Sequence, residues 1–196
     1  GKVQLSIKIL RHGRNITFWN ALVTQAETLT ITMMITTGQS RSTRIPQTHP
    51  PKMNIKPLEE LHQMPFIPNI TPNFTQHFDY RWEPDKLPFS RAEQAAVSGW
   101  IRPKGLLEDA LEPELAAMMD AWPPPVLMKA DRPLPASTIQ WQVHFTHSPT
   151  KSNWWGFQSK SSSSDEGLSH DHQLLWDEHG TLLALSQQLT AEFSSR

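Results

Sequence analysis

Hydrophobic and polar positions alternate most regularly over residues 168–193, LSHDHQLLWDEHGTLLALSQQLTAEF, which read as two strands joined at Glu178, His179 and Gly180. In the second strand Leu183, Leu185, Leu189, Ala191 and Phe193 fall on one face, with Ser186, Gln188, Thr190 and Glu192 on the other. This period of two is that of a half-buried strand and predicts a sheet whose apolar face carries the leucines. A similar unit, NITFWNALVTQAETLTITMMITTG, occurs near the start, with Thr28-Leu29 standing where Thr181-Leu182 stand later. The chain therefore reads as two copies of one module.

Around these units the pattern predicts further elements. Residues 3–10 form a strand, Arg11 to Asn15 a turn, and residues 16–24 and 28–36 a hairpin, rich in β-branched residues and without a helix to cover the sheet. From Gln39 the composition shifts to Pro, Thr, Asn and His. The prolines spread through it lack the amide donor that helix and sheet interiors use, so this stretch reads as a linker with one short helical turn around residues 58–62. The second module has strands at 78–83 and 95–102, followed by a helix. Pro113 among acidic residues marks its start, Leu115, Met118, Met119 and Trp122 form one apolar stripe, and Pro123 to Pro125 end it. Strands at 138–147, 153–161, 168–177 and 181–193 complete an α+β module with the helix wrapped by an antiparallel sheet. The division is 1–38, a partial N-terminal module; 39–77, the Pro-rich linker; and 78–196, the C-terminal module. Compared with its counterpart, the first module lacks opening strands and a central helix.

Composition narrows the chemistry. A net charge of −1 without basic runs argues against nucleic acid as a partner, and the absence of cysteine removes thiol nucleophiles and Cys-based zinc sites. No apolar run is long enough to span a bilayer, so no membrane role is expected and cytoplasm is the default compartment. Ser194, Ser195 and Arg196 do not form a peroxisomal address.

The runs ILRHGRNITFWNALVTQAETLTI, SGWIRP, MMDAWPPP and LLWDEHGTLLALSQQ resemble the thioesterase II, or TesB-like, acyl-CoA thioesterases. The resemblance spans both modules in the family's order. It implies a double hotdog, each module a long helix wrapped by an antiparallel sheet, with further assembly into homo-oligomers through the sheets. It implies hydrolysis of acyl-CoA to free acid and CoA without metal or cofactor, by a water held among an Asp, a Thr or Ser, and a Gln. It also implies an opening strand and helix ahead of Gly1.

Carried onto this sequence, the family's glutamine falls on Gln188, its hydroxyl on Ser162 within Ser161 to Ser164, and its carboxylate position on Gln140. An amide cannot take a proton from water, so general-base assistance, worth roughly a hundred- to ten-thousand-fold, is lost at Gln140 unless another group supplies it. Gln140, Gln142 and His144 share a strand face, which makes His144 a candidate substitute base or substrate contact. Trp154 and Trp155 cannot both point inward, and Trp155 is a candidate lining residue for an acyl channel. His170 and His172 share a face but have no evident third partner for a metal. Asp120 lies at the helix C-terminus, where the dipole disfavours an anion, and reads either as a site residue or as a partner for a nearby amide. Three functions follow: an acyl-CoA thioesterase, a weak or inactive hotdog protein that binds acyl chains or serves as an assembly module, and a hydrolase of carrier-bound or polyketide thioesters.

Overall fold

The computed structural model describes residues 1–46, 48–83, 87–105, 111–147 and 152–193. Ser194 to Arg196, read above for an address signal, lie outside them. The chain divides into two compact units, Gly1–His49 and Pro50–Arg196.

In the first unit β1 (Gln4–His12), β2 (Ile16–Gln25) and β3 (Thr28–Gly38) form an antiparallel sheet in chain order. Its register sets Leu5, Ile7 and Ile9 opposite Val23, Ala21 and Trp19, and these same β2 residues opposite Ile31, Met33 and Ile35. Directly opposed residues share a face, so one side of this sheet is apolar from edge to edge. Among the described residues of the unit there is no helix, and Leu5, Ile7, Ile9 and Ile31 each stay about half exposed.

The second unit holds a seven-stranded antiparallel sheet, order β4-β5-β6-β8-β9-β10-β7, built from β4 (His62–Met64), β5 (Phe78–Trp82), β6 (Ala96–Pro103), β7 (Ala136–Phe145), β8 (Trp155–Asp165), β9 (Leu168–Trp176) and β10 (Leu182–Glu192). Helix α1 (Leu111–Asp120) lies on its inner face, burying Leu115, Met118 and Met119 as the apolar stripe predicts. Just past the helix, Trp122 stacks on Phe157 with ring centroids 4.9 Å apart and meets the edges of Tyr80 and Trp82. Gly99 is required beneath it, since a Cβ there would strike the Arg81 carbonyl and press on the Trp122 ring. The Tyr80 hydroxyl donates to the Ala121 carbonyl at 3.0 Å, closing off the helix end. Burial pushes this phenol well above its ordinary pKa, so it remains a neutral donor.

Three features differ from the sequence reading. The Pro-rich stretch contributes structure to the sheet: its helical turn is present at Leu58–Glu60, but His62–Met64 then pairs with β5 as an edge strand. Upstream of both, residues 51–56 form a strap over the sheet's outer face. Its Pro51, Asn54 and Lys56 carbonyls accept hydrogen bonds from Trp176, Gln158 and Trp100, while the ends of the Met53 and Ile55 side chains lie over Gly156 and would have to shift to admit a Cβ. The strand expected to end at 161 runs on through the serine run to Asp165 as β8, which closes on β9 through Glu166 and Gly167, both at positive φ.

The largest difference concerns β10. Ser186, Gln188 and Thr190, not the leucines, form the buried face beneath α1, whereas Leu185 and Leu189 are half-buried on the outer side and Phe193 is exposed. Period-two alternation fixes which residues share a face but not which face turns inward. That choice follows from neighbours able to hydrogen-bond the polar set. A register shift between Leu182 and Ala184 lets Leu183 and Ala184 both enter the core despite being adjacent.

Replacing Phe157 by Ala removes the platform under Trp122 and is expected to destabilise the second unit by about 3–5 kcal/mol in a urea titration followed by tryptophan fluorescence. Replacing Leu5, Ile7 and Ile31 together by Thr is expected to reduce binding of an apolar-surface dye without lowering that transition.

Candidate active site

Gln188 is the hub of the buried polar face. Its Nε2 donates to Thr138 Oγ1 at 2.8 Å and to Asp120 Oδ1 at 3.3 Å, and its Oε1 accepts from Gln173 Nε2 at 2.8 Å. Gln173 is held in turn by the Ser186 hydroxyl, which donates to its Oε1. The chain Ser186, Gln173, Gln188 thus has one polarity, aiming the Gln188 NH2 group at a carboxylate and a hydroxyl. An amide offers two donors, and both are used.

Three elements bring these groups together. Asp120 ends α1, Gln188 sits mid-way along β10, and Thr138 reaches it because β7 is irregular there: Gln140 pairs with Leu189, but the next pair is Thr138 with Thr190. The extra residue, Ile139, leaves Thr138 on the inner face and Gln140 on the outer one. Asp120 keeps one side open to solvent while partial burial raises its pKa above the ordinary carboxylate value, an effect the Gln188 hydrogen bond opposes.

Beside this cluster lies a second carboxylate, Asp171, cross-strand from Gln188 and buried. Its Oδ1 accepts from Ser161 at 2.6 Å and Ser169 at 2.7 Å, and its Oδ2 from Thr190 at 3.3 Å. A carboxyl group held by three hydroxyls is a fixed structural group, whereas Asp120 has a single weak partner and access to water.

The sequence-derived residues are distributed over both faces. Gln188 occupies the inner face. Gln140 and Ser162 border a concavity on the outer face, where the Ser162 hydroxyl donates to the His170 carbonyl at 3.0 Å. His144 is exposed on that outer face, its Nε2 2.9 Å from the Gln142 amide nitrogen. Trp155 is buried in the core beneath α1, while its neighbour Trp154 lies under the Arg102 guanidinium at 4.6 Å. Gln140, Ser162 and His144 therefore make no side-chain hydrogen bond to Gln188 among the described residues, although Gln140, Ser162 and Gln188 border the same concavity. Thr138, Gln173 and Asp171 were not singled out. The available signal was the alternation Ser169, Asp171, Gln173 along β9, which matches Ser186, Gln188 and Thr190 on β10.

No helix among the described residues is long and apolar enough to cross a membrane. Among them, no three His, Asp or Glu side chains gather closely enough to hold a metal ion.

Comparison with known proteins defines the class first. The fold matches a conserved protein of unknown function with a hot dog fold from Alicyclobacillus acidocaldarius at TM-score 0.80 and 20% identity, covering 98% of this chain and 73% of that one. It also matches the tesB protein of Mycobacterium avium subsp. paratuberculosis (TM-score 0.76, 18% identity, 97% and 71% covered) and the acyl-CoA thioesterase II TesB2 of Mycobacterium marinum (TM-score 0.69, 16% identity, 99% and 75% covered). This is a hotdog fold. Residues 58–191 match the acyl-CoA thioesterase C-terminal domain family, and the chain belongs to that family. No curated protein is similar enough in sequence to count as a relative.

Replacing Gln173 by Leu strands the Gln188 carbonyl and the Ser186 hydroxyl, and is expected to cost about 1–3 kcal/mol on chemical denaturation. Asp120 gives a pH-dependent contribution of defined sign. A carboxyl whose folded-state pKa is raised loses its relative stabilisation as pH climbs from the unfolded value through the folded one, so Asp120→Asn is expected to flatten that decline.

Proposed function

We propose that this chain hydrolyses acyl thioesters, with acyl-CoA the first substrate to test, and that Asp120 is the general base. The observation that carries this reading is the solvent-accessible Asp120 carboxylate held against Gln188 beside the Thr138 hydroxyl. These are the three side-chain types the sequence resemblance implies, drawn from positions other than Gln140 and Ser162.

A water between Asp120 and Thr138 would attack the thioester carbonyl while Asp120 takes its proton. The tetrahedral intermediate then expels the thiolate, which regains a proton to leave as the thiol, and the acid departs. A carboxylate with a raised pKa binds that proton more readily, which suits a base working near neutral pH. Gln188 and Thr138 orient the water and hold Asp120 in place.

A second reading is a binding protein without turnover, for which the long 3.3 Å hydrogen bond between Gln188 and Asp120 speaks. Assay of the purified protein against acyl-CoAs of several chain lengths and against carrier-bound thioesters separates the readings. Asp120→Asn is expected to lower kcat roughly a hundred- to ten-thousand-fold, and Gln188→Ala roughly ten- to a hundredfold. The acidic limb of the wild-type rate profile is expected above the ordinary aspartate range. Unchanged turnover in Asp120→Asn would refute the assignment of the base, and absence of turnover with every thioester would favour the binding protein.

A further inference from the structure

The outer face of the seven-stranded sheet carries a concavity whose lining includes Gln140, Gln142, Ser163, His170, His172 and Gln187, and to which the inner-face residues Asp171 and Gln188 also contribute. Two irregularities cup it. One lies in β8 at Ser162, between Ser161 and Ser163, and the other in β7 at Ile139, opposite Leu189 and Thr190 of β10. Bulges bend and twist the strands that carry them, here on opposite sides of β9.

The register arranges the lining in two rows. Lys160, His172, Gln187 and Gln142 lie side by side across β8, β9, β10 and β7, and Ser163, His170, Leu189 and Gln140 form the row beside them. The side chains of His170, His172, Gln140 and Gln187 make no hydrogen bond among the described residues. Imidazole, amide and hydroxyl groups thus line one hollow, with Lys160 beside His172 on the neighbouring strand. The lining carboxylate, Asp171, is turned to the opposite face and consumed by its three hydroxyls. Asp165 lies on this side only beyond Ser163, at the hairpin, where its Oδ1 accepts from the Glu166 amide. A donor-rich hollow with an adjacent ammonium group and no carboxylate directed into it favours a multivalent anion over a cation or an alkyl chain.

We propose that this hollow binds a phosphate group, with His170 and His172 as the central donors and Lys160 supplying charge at the rim. The site stands on the outer face alone and does not depend on the chemistry assigned to Asp120. Two sources share the required chemistry: free inorganic phosphate and the phosphorylated nucleotide end of a larger ligand.

The test is an NMR titration of the histidine ring resonances with inorganic phosphate, with ADP and with chloride at matched ionic strength. Saturable shifts of His170 and His172 with phosphate or ADP, absent with chloride, are expected. The exposed double variant His170→Ala/His172→Ala, followed by calorimetry, is expected to weaken binding at least about tenfold. Asp120→Asn should bind as the wild type does, even if it hydrolyses nothing. ADP binding at least about tenfold tighter than phosphate identifies the nucleotide end as the source, and equal affinity identifies the phosphate group itself. Shifts equal to those in chloride, or undiminished affinity in the double variant, would overturn the proposal.

Discussion

A buried polar side chain costs free energy unless its hydrogen-bonding groups find partners, and that constraint shapes the polar half of the larger sheet's inner face. Ser169, Asp171, Gln173, Ser186, Gln188 and Thr190 are nearly inaccessible to solvent, in positions where a hotdog sheet beneath its helix could have been lined with leucines. Leaving such a group unpaired would cost on the order of 1–3 kcal/mol. The network therefore depends on its members together. Asp171 requires three hydroxyls around it, and Gln173 can present its amide to Gln188 only because Ser186 donates to its carbonyl.

The apolar half of the same face does a different job. The Trp122 and Phe157 stack, the Tyr80 bond to the helix terminus and the bare backbone at Gly99 fix where α1 ends. That ending places Asp120 over the boundary between apolar and polar halves, close enough to lose some hydration and open enough to exchange protons with solvent. Aromatic packing and the ionisation of one carboxylate are linked through the position of a single helix terminus.

Much of this fold was legible in the sequence because it rests on local signals. The alternation from Leu168 to Phe193, the Leu115 to Trp122 stripe and the glycine and proline punctuation all correspond to observed elements. The sidedness of β10 was not legible, because it depends on Asp171 and Gln173 one strand away and on Asp120 at a distant helix end. Gln188 was identifiable as a candidate, but its hydrogen-bond partner was not: one extra residue at Ile139 exchanges Gln140 for Thr138, and strand irregularities of that size have no fixed sequence signature. The short edge strand His62–Met64 was hidden by surrounding prolines that suggested only a linker.

The strap over residues 51–56 changes the status of that proline-rich stretch. Its carbonyls take up indole and amide donors from β6, β8 and β9, and its Met53 and Ile55 side chains occupy the space left by Gly156. The sheet is thus gripped from both sides, by a helix inside and by extended backbone outside. Severing the chain at Phe78, where regular alternation resumes, would strip the Trp100 and Trp176 indoles of their acceptors and leave a slot across the back of the sheet. The second compact unit begins at Pro50, within sequence that has the composition of a tether but serves as a clasp.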